Sequence, residues 1–140
     1  MFHKQQSESV ILNLRHMMLF IQSIVDYSLT QTDNFTVNTE DVEVVSTVKE
    51  VLKIYCEQTR SKNIFTKVEL VPSSSSAKVM WKTDRMRLDV ILSTIIFNSI
   101  KYTRSGNIKI IIEKLEPKFP ELKITVRDTG VGMDTKQLQI

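Results

Sequence analysis

Apolar residues recur at spacings of three and four along the first thirty positions. Ile11, Leu14, Met18, Ile21 and Val25 fall on one stripe, which predicts a helix reaching about Leu29. Val10, Met17 and Ile24 widen that stripe beyond what one partner helix covers, so a multi-helix bundle fits better than a two-stranded zipper. The polar "TQTDN" reads as a linker, and "FTVNTEDVEV" alternates well enough for a short strand or an extended lead-in. Val45, Val48, Val51, Leu52 and Tyr55 then predict a second helix to about Arg60. "NIFTKVELV" has strand character, "PSSSS" reads as a loop and "AKVMW" as a short strand. Thr83 or Asp84 can cap a long helix with Leu88, Ile91, Leu92, Ile95, Ile96 and Ile100 on one face, stopped by Gly106. The β-branched runs "NIKIIIEKL" and "ELKITVRD" flank "EPKFP" as a hairpin would. The order predicts an α+β protein, a two-layer α/β sandwich with helices on one face of a mixed sheet, preceded by one long helix.

Composition narrows the class. At 140 residues and 41% hydrophobic, the chain can build one ordinary domain with a helix to spare. Its net charge of +3 is dispersed, which argues for no nucleic acid partner. The single cysteine, Cys56, cannot form an internal disulfide, and no clustered Cys/His suggests zinc, so a reducing cytoplasm fits best. The most apolar segment, "VILNLRHMMLFIQSIV", carries Asn13, Arg15, His16 and Gln22 and has no small-residue cleavage site after it. It reads as neither a membrane span nor a signal peptide, and no direct membrane contact is expected of it.

Two places could carry chemistry. Asn98, Lys101 and Tyr102 lie within a turn of each other on the long helix, where an amide oxygen, an ammonium and a phenol can converge. Taken alone, Lys101 and Tyr102 read as solvated positions closing an otherwise apolar helix. Asn98 sits in "TIIFNSIKYT", and an amide among core-facing isoleucines needs a partner, which a hydrated metal ion with bound phosphates would supply. The second place is "VRDTGVGMD", which holds two of the chain's three glycines. Gly130 and Gly132 allow a sharp turn and close approach to a flat ligand, and Asp128 can accept a hydrogen bond from an exocyclic amine; a plain turn is the alternative. Cys56, Trp81 and Phe97 read as core, and His3 lies near the terminus.

Together, "DRMRLDVILSTIIFNSIKYTRSGNIKIII" and "LKITVRDTGVGMD" resemble the ATP-binding region of sensor histidine kinases. That region belongs to a wider superfamily that includes type II topoisomerases, mismatch-repair ATPases and a chaperone ATPase. The resemblance implies a Bergerat ATP-binding fold with ATP and Mg²⁺ as cofactors. It implies that Asn98 coordinates the metal, Lys101 and Tyr102 lie along the phosphates and ribose, and Asp128 receives the adenine amino group. Gly130 and Gly132 would shape the pocket, with Met133 against the base. Upstream, the ending Asp26, Tyr27, Ser28 is similar to the close of the kinases' second dimerisation helix. Residues 1–30 are therefore expected to be that helix and residues 31–140 the ATP-binding domain. A homodimer through the N-terminal helix and a response regulator receiver domain are the implied partners.

The sequence departs from the family pattern in three ways. No H-E-[LF]-R-T-P-like stretch is present, so no catalytic residue is identified and His16, in "LRHMM", is not the phospho-acceptor. Thr94 stands where the family usually carries an acid, amide or histidine. The second glycine box, the lid and the closing strand are expected beyond Ile140, so the chain reads as a C-terminally incomplete fragment, binding nucleotide weakly and not autophosphorylating. The alternatives are a non-catalytic kinase-like scaffold that dimerises through residues 7–29, or another ATPase or protein kinase of the superfamily.

Overall fold

The computed structural model describes residues 2–32, 35–71, 78–115 and 120–134. "PSSSS", most of "EPKFP", part of "TQTDN" and the last six residues lie outside them. Two compact units are present, Met1–Cys56 with Ser76–Thr94 and Glu57–Ser75 with Ile95–Ile140.

In the first unit, α1 (Phe2–Thr30) precedes β1 (Glu40–Glu43), α2 (Val44–Ile54) and β3 (Met80–Thr83), followed by the first half of α4 (Arg85–Tyr102). β1 and β3 pair antiparallel, from Glu40 opposite Thr83 to Glu43 opposite Met80. Glu43 caps α2 by accepting from the Val45 and Ser46 amides at 3.2 and 2.7 Å. Val42, Val44, Val48, Val51, Ile54, Tyr55 and Leu92 are buried. The second helix does not run unbroken to Arg60. Tyr55 leaves helical geometry (φ −103°, ψ 11°) and a short α3 (Cys56–Ser61) follows. The Tyr55 ring is fully buried with its hydroxyl bonded to Ser93, and that burial overrides a periodicity that would have continued the helix.

α1 packs on this unit through a mixed side, where Leu12, Leu19 and Leu29 are half-buried beside Arg15, His16 and Asp26. Arg15 pairs with Glu50 at 3.3 Å and lies 3.9 Å from Asp89; Asp26 lies 3.5 Å from Arg87. The His16 ring stands edge-on to Tyr55 at 5.2 Å between centroids. The stripe read from the sequence points the other way, and its residues from Val10 to Val25 are 43% to 70% exposed. Among the described residues, no helix is long and apolar enough to cross a membrane.

Asp84, not Thr83, caps α4. One carboxylate oxygen accepts from the Arg87 amide at 3.2 Å and the other from the Asn38 amide at 2.9 Å, while the Arg87 guanidinium pairs with it. Burial pushes the Asp84 carboxyl up, but these donors together outweigh it and hold the group below its ordinary value.

In the second unit, β2 (Ile64–Val71) runs parallel to β4 (Gly106–Leu115), and β5 (Glu121–Asp128) pairs antiparallel on the other edge of β4. The sheet is mixed, as the sequence suggests. Ile108, Ile110 and Ile112 alternate into the core with Ile96 and Ile100. The six apolar positions of α4 do not share one buried face. Ile91 and Ile95 are 56% and 44% exposed, and the buried side is completed by Asp89, Ser93, Ser99 and Thr103. Gly106 does not end α4, which stops at Tyr102. It opens β4 instead at φ +129°, where an added Cβ would lie 2.2 Å from Thr129 Oγ1.

Candidate nucleotide site

Asn98, Lys101 and Tyr102 all face outward from the last turns of α4, with the Lys101 ammonium 5.2 Å from the Tyr102 ring centroid. Asn98 is exposed, which corrects the argument that burial among isoleucines forces a partner on it. Its amide is available to a ligand and not compelled toward one. Thr94 is also exposed, and its hydroxyl donates to the Val90 carbonyl at 2.9 Å.

Asp128 ends β5 opposite Ile108. One of its carboxylate oxygens accepts from the Gly130 amide at 2.9 Å, an Asx-type turn that reverses the chain and leaves the other oxygen of an exposed side chain open to a further donor. Thr129 fixes the position of that turn. Its amide donates to the Asn107 carbonyl at 3.1 Å, and its hydroxyl accepts from the Asn107 amide at 3.0 Å. Beyond it, the Val131 amide donates to the Tyr102 carbonyl at 3.3 Å, so the loop seats on the end of α4. Glycine is required by this seat: a Cβ on Gly130 would come within 2.8 Å of the Tyr102 carbonyl oxygen, 2.9 Å of the Asp128 carboxylate and 3.0 Å of Thr103 Oγ1. Gly132 serves differently, at φ +67° with nothing within 4 Å.

The structure therefore brings the Tyr102 carbonyl, Asp128 and Gly130 together, while the Tyr102 ring is exposed with Lys101 beside it and Asn98 one turn earlier on the same exposed side. It does not pack Met133, which is 69% exposed. Sequence reasoning missed three contributors. Thr103 is fully buried beside Gly130 with its hydroxyl unpartnered, Thr129 locks the turn, and Lys62 donates to carbonyls at the end of α4. Among the described residues, no group of three or more His, Cys, Asp or Glu could hold a metal, so Asn98 would need phosphate and water oxygens to complete a magnesium shell.

Residues 83–140 match the family described as histidine kinase-, DNA gyrase B- and HSP90-like ATPases. This segment belongs to that ATPase family. The matched ATPase segment takes in all of α4, β4 and β5 with the glycine turn. Over 114 residues the chain is 32% identical to the sensor histidine kinase AtsR of Burkholderia thailandensis, spanning 81% of this chain and 18% of that protein. In fold it is similar to Acinetobacter baumannii histidine kinase AdeS, with a TM-score of 0.70 at 21% identity over 85% of this chain and 56% of that one. Full-length ShkA, solved in complex with AMPPNP, gives a TM-score of 0.68 at 18% identity, over 94% of this chain and 26% of that one. The ATPase family and the mixed sheet agree with the fold and family expected from the two sequence motifs.

Proposed function

We propose that the chain is the ATP-binding catalytic portion of a two-component sensor histidine kinase. The observation that carries this is the seating of the Asp128–Gly130 turn on the end of α4, which joins the two halves of a nucleotide site through backbone too close for any side chain at Gly130. In this reading the open Asp128 oxygen accepts the adenine amino group. Lys101 and Tyr102 lie along the phosphates and ribose, and the exposed Asn98 amide oxygen turns to Mg²⁺. Bound Mg-ATP supplies the γ-phosphoryl group for transfer to a histidine and then to a response regulator. The protein's part is to position and to neutralise charge, which dominates phosphoryl transfer. Neither His3 nor His16 stands in an acceptor motif, so the accepting histidine is provided by a dimerisation helix other than α1. The exposed apolar side of α1 supports assembly as a homodimer.

Thr94 favours a second reading, a kinase-like scaffold. A threonine cannot serve as a base at neutral pH, and its hydroxyl is turned back onto the Val90 carbonyl.

Titration with a fluorescent ATP analogue, with and without Mg²⁺, tests the first reading. Asp128→Ala is expected to weaken binding by about tenfold or more, the scale of one hydrogen bond to a charged acceptor. Tight binding that this substitution leaves unchanged overturns the site assignment, and no binding by the wild type favours the scaffold.

A further inference from the structure

A helix ends with carbonyl oxygens that have no donor within the helix. At the end of α4, those of Ile100 and Lys101, with that of Thr103 just beyond the helix, receive the Lys62 ammonium at 2.7, 3.2 and 3.4 Å, and that of Tyr102 receives the Val131 amide at 3.3 Å. One lysine thus holds the carbonyls on both sides of the one that seats the glycine loop. Its backbone is anchored where the sheet starts. Asn63, next in sequence, takes a left-handed conformation at φ +52°, and its carbonyl accepts from the Gly106 amide at 3.3 Å, where β2 and β4 begin to pair.

We propose that Lys62 is a positioning residue for the nucleotide site, tying the end of α4 to the start of the sheet so that the Tyr102 carbonyl stays in register for the Asp128–Gly130 turn. This rests on the nucleotide reading given above. Lys62 touches none of the side chains assigned to the ligand and acts through Tyr102 and Val131. An ammonium is well suited to this position, because it has three donors and its charge opposes the negative end of the helix dipole. Without it, three carbonyls lose their donor, the last turn frays, and the loop loses the surface on which it sits. The turn that aims Asp128 then samples several arrangements, and affinity falls with the fraction that is competent.

The test compares the wild type with Lys62→Met, which keeps the length of the stem without the donors, and Lys62→Arg, which restores donors and charge. Affinity for a fluorescent ATP analogue with Mg²⁺ and the exchange rate of the Val131 amide by NMR are measured at a temperature where circular dichroism shows each protein folded. Lys62→Met is expected to bind about tenfold more weakly and to exchange the Val131 amide about tenfold faster, with Lys62→Arg within about threefold of the wild type on both. The amides of the β4–β5 ladder should keep their protection. A purely structural lysine would lower the melting temperature and leave both readings of the folded protein unchanged, and that result overturns the proposal. If Lys62→Met does not fold, Lys62→Gln is compared with Lys62→Arg on the same two readings. If the wild type binds no nucleotide, the nucleotide reading fails by itself, and the Val131 exchange rate still decides whether Lys62 holds the loop.

Discussion

Gly130→Ala places one methyl group against the end of α4, and the structure indicates how that methyl is accommodated. Its neighbours would be a helix-end carbonyl at 2.8 Å, a carboxylate oxygen at 2.9 Å and a fully buried hydroxyl at 3.0 Å. The carbonyl and the hydroxyl belong to packed structure and cannot retreat, and the carboxylate is held by the amide of residue 130 itself. Gly130 does not have a positive φ, so the constraint is steric alone. The cheapest relief leaves Thr129 in place and lifts residues 130–134 off the helix, which sacrifices the Val131–Tyr102 and Gly130–Asp128 hydrogen bonds. At about 0.5–1.5 kcal/mol each, the two set a ceiling of about 1–3 kcal/mol. Residues 131–134 are exposed, so most of this cost falls on the loop and not on the core. Urea unfolding should therefore shift by less than about 1 kcal/mol, whereas affinity for a fluorescent ATP analogue should drop by roughly 5- to 150-fold, the same energy read as a binding constant. Gly130→Ala binding within about twofold of the wild type would show that the close seat of the loop does not shape the site.

Three further outcomes are expected. Ile110→Ala, at a fully buried position paired with Val68 and Val126, should cost about 2–5 kcal/mol in urea denaturation. Asp84→Asn, which keeps a capping side chain but removes the charge paired with the Arg87 guanidinium, should cost up to about 1 kcal/mol at neutral pH. Because the Asp84 carboxyl lies below its ordinary value of 3.8 when folded, its contribution is present above that value and is lost as pH falls through the lower folded one, so the two proteins should converge in acid denaturation. Ile21→Glu, on the exposed side of α1, should reduce self-association in sedimentation velocity without lowering the melting temperature.

Elements with local signals were legible in the sequence. The run "IKIII" could only be a buried strand, Asp84 stood where a cap was needed, and the Asp128 and Gly130 pair declared a turn. The break at Tyr55 was not legible, because it serves the burial of a ring that bonds Ser93, 38 residues away. Nor was the outward side of α4, since serines and threonines close its buried face and break the apolar pattern. At the site, Lys62 and Thr129 act on backbone groups 38 and 22 residues distant, and a contact between a side chain and a distant carbonyl leaves no trace in composition or spacing. Asn98 stands out in the sequence as a polar residue among isoleucines, but the inference that it is buried failed because those isoleucines line two sides of the helix.

The two sides of α1 answer to opposite changes in solvent. Arg15 and Asp26 attach it inward through partly exposed ion pairs, which added salt screens, whereas its outward residues are apolar, and sulfate strengthens their burial against any partner. Raising the ionic strength with a sulfate salt therefore weakens the ion pairs on the inner side of the helix while favouring burial of the apolar residues on its outer side.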